Sequence, residues 1–222
     1  MTYLISDVHG RLDRLTKLLK EIAFGVEDEL YILGDAADRG PDGLKIFEFV
    51  MNTPNVHMIR GNHELLLLEA LDSPADETCM ARWYRNGGRV THEAVDRLSE
   101  QKRRELFDFL YALPINLELS VNGKTFLLSH GAPLMCFGKM ETKYTDPDRF
   151  AVWARPTAED WMPEDKITVF GHTSVRHFHD VFPLAIWYGK NRINIDCGCA
   201  YEGDAGRLGC LRLEDMKEFY AQ

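Results

Sequence analysis

The sequence predicts an α/β fold: two β-sheets flanked by helices, with a helical cap around residues 76–113. Three observations lead there. Strand-like and helix-like segments alternate through the first seventy residues, an all-helical block then interrupts the alternation, and hairpin signals dominate after Pro114. Strands that are apolar throughout and alternate with helices imply a parallel sheet covered by helices.

The elements follow in order. "TYLISD" reads as a strand, and "RLDRLTKLLKEI" places Leu12, Leu15, Leu18, Leu19 and Ile22 on one helical stripe. "ELYILGD" is a buried strand, and "GLKIFEFV" has Leu44, Phe47 and Val50 at helical spacing. "VHMIRGN" is a third strand and "HELLLLEALD" a third helix. In the cap, Leu106, Phe109, Leu110 and Leu113 mark an amphipathic face, and "QKRRE" at 101–105 reads as its solvated side. Asn122-Gly123 between two strand-like runs signals a hairpin. "KITVFGH" is a further strand, "LAIWYGKNRINIDCG" a second hairpin, and "LGCLRLED" a last strand, so the second sheet is expected to be the more antiparallel one. With no linker or repeat, residues 1–222 read as one domain.

Composition excludes several classes. Apolar residues make up 45% and charged residues 27% of the 222, as in a soluble globular protein. No apolar run reaches the length of a membrane span, and the N-terminus lacks the basic and apolar regions of a signal peptide, so the expected location is cytoplasmic. The net charge of −9 argues against nucleic-acid binding. The five cysteines fit neither a disulfide framework nor a zinc site and read as reduced thiols.

Five polar clusters stand at the carboxyl ends of the expected strands. They are "SDVHG" (Asp7, His9), "GDAADRG" (Asp35, Asp38, Arg39), "RGNHE" (Arg60, Asn62, His63), "SHG" (His130) and "GHT" (His172). Ligand crevices in open α/β sheets lie beyond those ends. Singly, each cluster also fits a turn, a helix cap or a core histidine; jointly they call for one explanation. Carboxylate, imidazole and amide donors without thiolate suit Mn, Fe or Zn. Two ions about 3.5–4 Å apart can clamp the attacking and leaving oxygens of a phosphate. Asp35, on the middle early strand, is the expected bridge. Asp7 and His9 would serve one ion, and Asn62, His130 and His172 the other. Two divalent ions, two carboxylates and a bridging hydroxide leave about +1, attractive to a phosphate dianion.

At these residues the chain resembles the phosphoprotein phosphatase family of calcineurin-like metallophosphoesterases, and is most similar to the bacteriophage-lambda-type serine/threonine protein phosphatases. The family pattern runs GDxHG, GDxxDRG, GNHE, a later His-Gly or His-Ala, and a final GH. Here 28 residues separate Asp7 from Asp35, and 27 separate Asp35 from Asn62, close to the family spacing. The resemblance implies a four-layer sandwich and a metal-dependent phosphomonoesterase acting on phosphorylated protein or on small phosphoesters. It implies Asp7, His9, Asp35, Asn62, His130 and His172 as ligands of two divalent ions, with manganese expected and iron, zinc or nickel also accepted. It further implies His63 as the acid facing the leaving group, Asp38 as its orienting partner, and Arg39, Arg60 and, from "VWARP", Arg155 as phosphate contacts. Two departures stand out. Ser6 replaces the usual glycine before the first aspartate, with an expected effect on loop flexibility alone, and the segment after His172 is longer, with His177 and His179 in it.

Two other functions compete. A symmetrical diadenosine tetraphosphate hydrolase shares the metal motifs, but that pattern tends to lack the second aspartate of GDxxDRG and to end GNH with Asp; Asp38 and Glu64 favour the protein phosphatase. An inactive interaction module would have lost ligands or the acid histidine, and none is lost. His57, His92, Trp83, Tyr84 and the "NGG" at Asn86–Gly88 are expected to serve packing, and His177 and His179 a solvated loop.

Overall fold

The computed structural model describes residues 1–222 and contains two five-stranded sheets. In the first, β1 (Thr2–Ile5), β2 (Glu29–Ile32) and β3 (Val56–Met58) are parallel, as expected. The helices α1 (Leu12–Glu21) and α2 (Gly43–Asn52) are the crossovers between them. Period-two alternation decides what each strand faces. Tyr3 and Ile5 join Leu15, Leu18, Ile46, Phe47 and Val50 in a core between sheet and helices. Leu4 points the other way, into a second core with Phe126, Leu128, Val169, Ile193 and Leu211 between the two sheets.

The helix α3 (Asn62–Asp72) leads into a cap of three helices, α4 (Glu77–Arg85), α5 (Arg89–Val95) and α6 (Glu100–Ala112). The cap is not a detached insertion. Trp83, Val95, Leu106 and Leu110 are buried in the same core as α1 and α2. The basic run at 101–105 lies on the outer face of α6, where Arg104 pairs with Glu100.

The second sheet corrects the expectation of a more antiparallel arrangement. Its order is β4 (Asn116–Val121), β5 (Lys124–Ser129), β6 (Ile167–Phe170), β8 (Arg192–Asn194), β7 (Trp187–Gly189). The two expected hairpins form: Asn122 and Gly123 both take positive φ (49° and 74°), as a tight two-residue turn requires. But β5, β6 and β8 run parallel. Each sheet therefore has two parallel and two antiparallel pairs. The fourth layer is thin, built from α7 (Pro147–Trp153) and the irregular segments around it, with Phe150, Cys136, Met140 and Met162 as its core. The first sheet is completed by β9 (Leu208–Arg212), antiparallel to β1, and β10 (Lys217–Ala221). The last of these was missed in the sequence, because "KEFYAQ" is short and only its Ala221 is fully buried. No helix is long and apolar enough to cross a membrane, and all five cysteines are free.

One buried side chain fixes how the early loops meet. The Glu64 carboxylate accepts from the backbone N–H of Asp35 (2.9 Å), Ala36 (3.0 Å) and Gly61 (2.8 Å). It thereby clamps the loop after β2 to the start of α3, and stabilises that helix's positive end. Gln offers one acceptor where three N–H groups converge and turns an amide donor towards the others. Glu64→Gln is expected to cost about 2–4 kcal/mol of stability, read as a lowered midpoint in urea unfolding.

Candidate metal centre

Parallel β1, β2 and β3 deliver Asp7, Asp35 and Asn62 to one edge; parallel β5, β6 and β8 deliver His130, His172 and Asp196 to the facing one. The connecting loops hold unusual backbone. Asp7, His9, Asp35, Asp38, Arg39 and His172 all have φ between 49° and 67°, the left-handed region that non-glycine residues rarely occupy. Each costs on the order of 1 kcal/mol and persists only where surrounding bonds impose it. Here loop hydrogen bonds extend the β1–β2 ladder: His9 N–H donates to Asp35 O (2.9 Å), Gly10 N–H to Ala36 O (2.8 Å) and Gly40 N–H to His9 O (3.0 Å). At Gly10 a Cβ would fall 2.4 Å from the Gly40 carbonyl oxygen, so no other residue fits this crossing of loops.

Asp35 stands at the centre. The potential ligand atoms of Asp35, His130 and His172 lie within 4.8 Å of one another, as do those of His9, Asp35 and His63. Asp35 Oδ1 is 3.3 Å from His130 Nε2, and Oδ2 is 3.7 Å from His9 Nε2. Asp7 Oδ1 lies 3.9 Å from the same His9 nitrogen. Asn62 Oδ1 is 2.9 Å from His130 Nε2. All six expected ligands are thus brought together, and all are buried.

This donor set fits divalent ions. His9 Nδ1–H donates to the Ala37 carbonyl and His130 Nδ1–H to the Leu33 carbonyl, which turns both Nε2 lone pairs inward. Burial, and for His9 the nearby His63 and Arg39, hold the His9 imidazole well below its ordinary range; burial and His130 do the same for His172. Neutral imidazoles are what a metal requires. The buried His172 Nε2 has no partner in the protein. Burial and the Asp196 charge push the Asp7 carboxyl up to about 8. Burial pulls His130 down, but Asp35, Asp7 and the Leu33 carbonyl outweigh it and lift the imidazole to about 10. Protons and divalent cations therefore compete for the same atoms.

The histidine of GNHE has different company. His63 Nδ1–H donates to Asp38 Oδ2 at 2.7 Å, and Arg39 Nη2 meets His63 Nε2 at 3.2 Å. Burial lowers the His63 pKa, yet Asp35 and Asp38 together raise it above its ordinary value. Its backbone N–H donates to Asp35 Oδ1 (3.0 Å). Arg39 is exposed and is bonded to His63 rather than to either aspartate of its turn.

A cavity of about 410 Å³ opens on these groups, lined among others by His9, Arg39, Arg155, His172, Arg176 and Asp196. Arg155 Nη1 reaches the His172 carbonyl at 3.3 Å. Arg60 does not join this cavity: its Nη2 donates to the Leu110 and Tyr111 carbonyls at the end of α6 (3.0 and 2.7 Å). Those are orphan carbonyls of a helix C-terminus, which a guanidinium satisfies well. His177 is exposed on the cavity rim, and His179 is bonded to the Ala185 carbonyl at 2.9 Å. His57 pairs with Glu29 at 2.6 Å and stacks on Tyr31, a structural role as expected.

Sequence reading overlooked three contributors. Asp196 is buried beside the cluster, with Oδ1 accepting from Gly198 N–H at 2.9 Å. Its signal was the same as for the others, an aspartate at the end of a parallel strand, but that strand was read only as half of a hairpin. Ser6 does more than alter flexibility: its hydroxyl donates to Asp7 Oδ2. A Cβ at Gly171 would fall 2.0 Å from that hydroxyl oxygen, so the GHT loop leaves room for Ser6. Trp83, expected only to pack, donates its indole N–H to Asp38 Oδ2 at 2.9 Å.

The model of calcineurin-like phosphoesterases matches residues 2–197. Symmetrical bis(5'-nucleosyl)-tetraphosphatases of Serratia proteamaculans (strain 568) and Pectobacterium atrosepticum are each 46% identical over 69 residues, 30% of this chain. The match spans only about a quarter of the length of these relatives. Among solved structures, a candidate diadenosine tetraphosphatase superposes with a TM-score of 0.67 at 17% identity, over 99% of this chain and 92% of that one. A serine/threonine protein phosphatase from Saccharomyces cerevisiae superposes with 0.63 at 13% identity, over 94% and 71%. At such identities these two likenesses speak for the fold alone. With nearly the whole chain matched by the family model and the donor set assembled at the sheet edge, this chain belongs to the calcineurin-like phosphoesterase family.

Proposed function

We propose that this chain is a phosphomonoesterase that hydrolyses phosphoserine or phosphothreonine esters, with residues 1–222 acting as one catalytic domain. The observation that carries the reading is the Asp38–His63 pair beside Asp35. Cleaving an alkyl phosphoester expels an alkoxide, a poor leaving group that needs a proton as the bond breaks. Cleaving a phosphoanhydride expels a phosphate, which is stable without one. A buried histidine whose pKa is raised and whose Nδ1–H is anchored has its use in the first reaction.

Asp7, His9 and Asp35 would hold one divalent ion, and Asp35, Asn62, His130 and His172 a second. Manganese is the expected ion, and iron, zinc or nickel suit the same donors. Such ions supply a nucleophilic water near neutral pH and offset charge that builds on the phosphate. The chain's own groups do the rest. Arg39 and Arg155 draw the phosphate into the cavity, and the planar fork of Arg39 holds it beside His63 Nε2. Asp38 holds the Nδ1–H and favours the imidazolium, whose second proton, on Nε2, goes to the leaving oxygen once Arg39 has turned from that nitrogen to the phosphate. Arg60 in this reading anchors the cap rather than touching substrate.

A second reading, hydrolysis of symmetrical dinucleoside tetraphosphates, draws on the tetraphosphatase relatives and on a third cation in the cavity, Arg176, which lies over the Tyr201 ring at 4.9 Å. Rates on a phosphothreonine peptide and on diadenosine tetraphosphate separate the two. The peptide is expected to give the higher kcat/KM, and the reverse order would reject the first reading. His63→Asn is expected to lower turnover of the peptide by about 10²–10⁴-fold with metal content unchanged. Asp35→Asn is expected to lose both ions, measured by elemental analysis of the purified variant; two ions at full occupancy would refute the bridging role. EDTA is expected to abolish turnover and Mn²⁺ to restore it, and turnover indifferent to chelation would remove the metal mechanism altogether.

A further inference from the structure

The geometry points to Trp83 and Thr91 of the cap as positioning residues for the acid, acting through Asp38; this rests on the phosphomonoesterase reading above. Three hydrogen bonds from the cap land on two consecutive residues of the "DAADRG" turn. Trp83 Nε1–H donates to Asp38 Oδ2 (2.9 Å), the same oxygen that takes the proton of His63 Nδ1 (2.7 Å). Asp38 N–H donates to Thr91 Oγ1 (3.1 Å), and Arg39 N–H to the Gly87 carbonyl (3.1 Å). Asp38 and Arg39 both sit at φ 67°, so their backbone is held where it would not rest unaided.

The arrangement goes beyond packing. Trp83 is fully buried, and its one polar atom is spent on the carboxylate of the dyad. Asp38 Oδ1 has no partner, so the two N–H donors on Oδ2 alone fix how this carboxylate is turned. The "NGG" run has a reason on the same site. A Cβ at Gly88 would fall 2.1 Å from Trp83 Nε1, and Gly87 at φ +98° passes against the Arg39 side chain. Both glycines let the cap come close enough for the indole and the Gly87 carbonyl to reach the turn. The cap therefore sets the orientation of the proton donor and of the phosphate arginine together, although none of its residues touches the metal ligands' donor atoms.

Trp83→Phe keeps an aromatic ring in place and deletes only the donor. The test is kcat on phosphothreonine peptide, phenyl phosphate and p-nitrophenyl phosphate, with melting temperature and metal content as controls. A loosened acid matters more as the leaving group grows more basic. The variant is expected to lose about 10-fold in kcat on the peptide, within the span of general acid catalysis, with a smaller loss on p-nitrophenyl phosphate and KM unchanged. In a His63→Asn background the substitution is expected to add little, because both act on one proton transfer. An equal loss on all three substrates, a change confined to KM, or full additivity with His63→Asn would overturn the assignment. Should Trp83→Phe fail to fold, Thr91→Val carries the same test with the same expected pattern. If His63→Asn itself discriminates among the leaving groups while the cap variants do not, only this inference falls; if His63→Asn does not discriminate, the acid role falls first and takes this inference with it.

Discussion

The Glu64 carboxylate is the constraint on which the site depends. It binds three backbone N–H groups from two loops that are distant in sequence, and it does so in a fully buried position. Desolvation of that carboxylate is costly, and burial and the nearby Asp35 charge push its pKa up. The return is geometric. With the loop after β2 and the N-terminus of α3 tied together, Asp35 can accept from His63 N–H while facing His130, and Asp38 can reach the His63 ring. The left-handed residues of the site are affordable only because such bonds over-determine them.

Much of this was legible in the sequence, for one physical reason. Parallel strands end at the same edge, so polar residues repeated at the carboxyl ends of apolar strands must converge. Asp7, Asp35, Asn62, His130 and His172 follow from that rule, whereas His9 is aimed by a turn in which both it and Asp7 take left-handed φ, not by extended backbone. Asp196 obeys the rule too, and was lost only because β8 was treated as half of a hairpin instead of as a parallel neighbour of β6. The contributions of Ser6 and Trp83 could not be read in the same way. Each depends on a contact between segments far apart in the chain, and no periodicity marks it. Arg60 illustrates the converse. Its motif points to phosphate, whereas the carbonyls at the end of α6 sit within its reach and take its Nη2 donors.

The charge of the molecule is also unevenly used. A net −9 protein gathers Arg39, Arg155 and Arg176 around one cavity whose floor is carboxylate and imidazole. Fields focused in a cleft act on approaching anions more than net charge does.

The two-sheet construction has a further consequence. Asp7, His9, Asp35 and Asn62 come from the first sheet, His130 and His172 from the second, and the two faces are otherwise joined by an apolar layer and a few hydrogen bonds, such as those from His130 Nδ1–H to the Leu33 carbonyl and from His172 N–H to Asp7 Oδ2. An ion held by Asp35 and His130 together would therefore cross-link the early and late halves of the chain, much as a disulfide would. Neither half can come away without giving up its share of the ligands. Metal supply would then also bear on how firmly the two halves of the protein are held together.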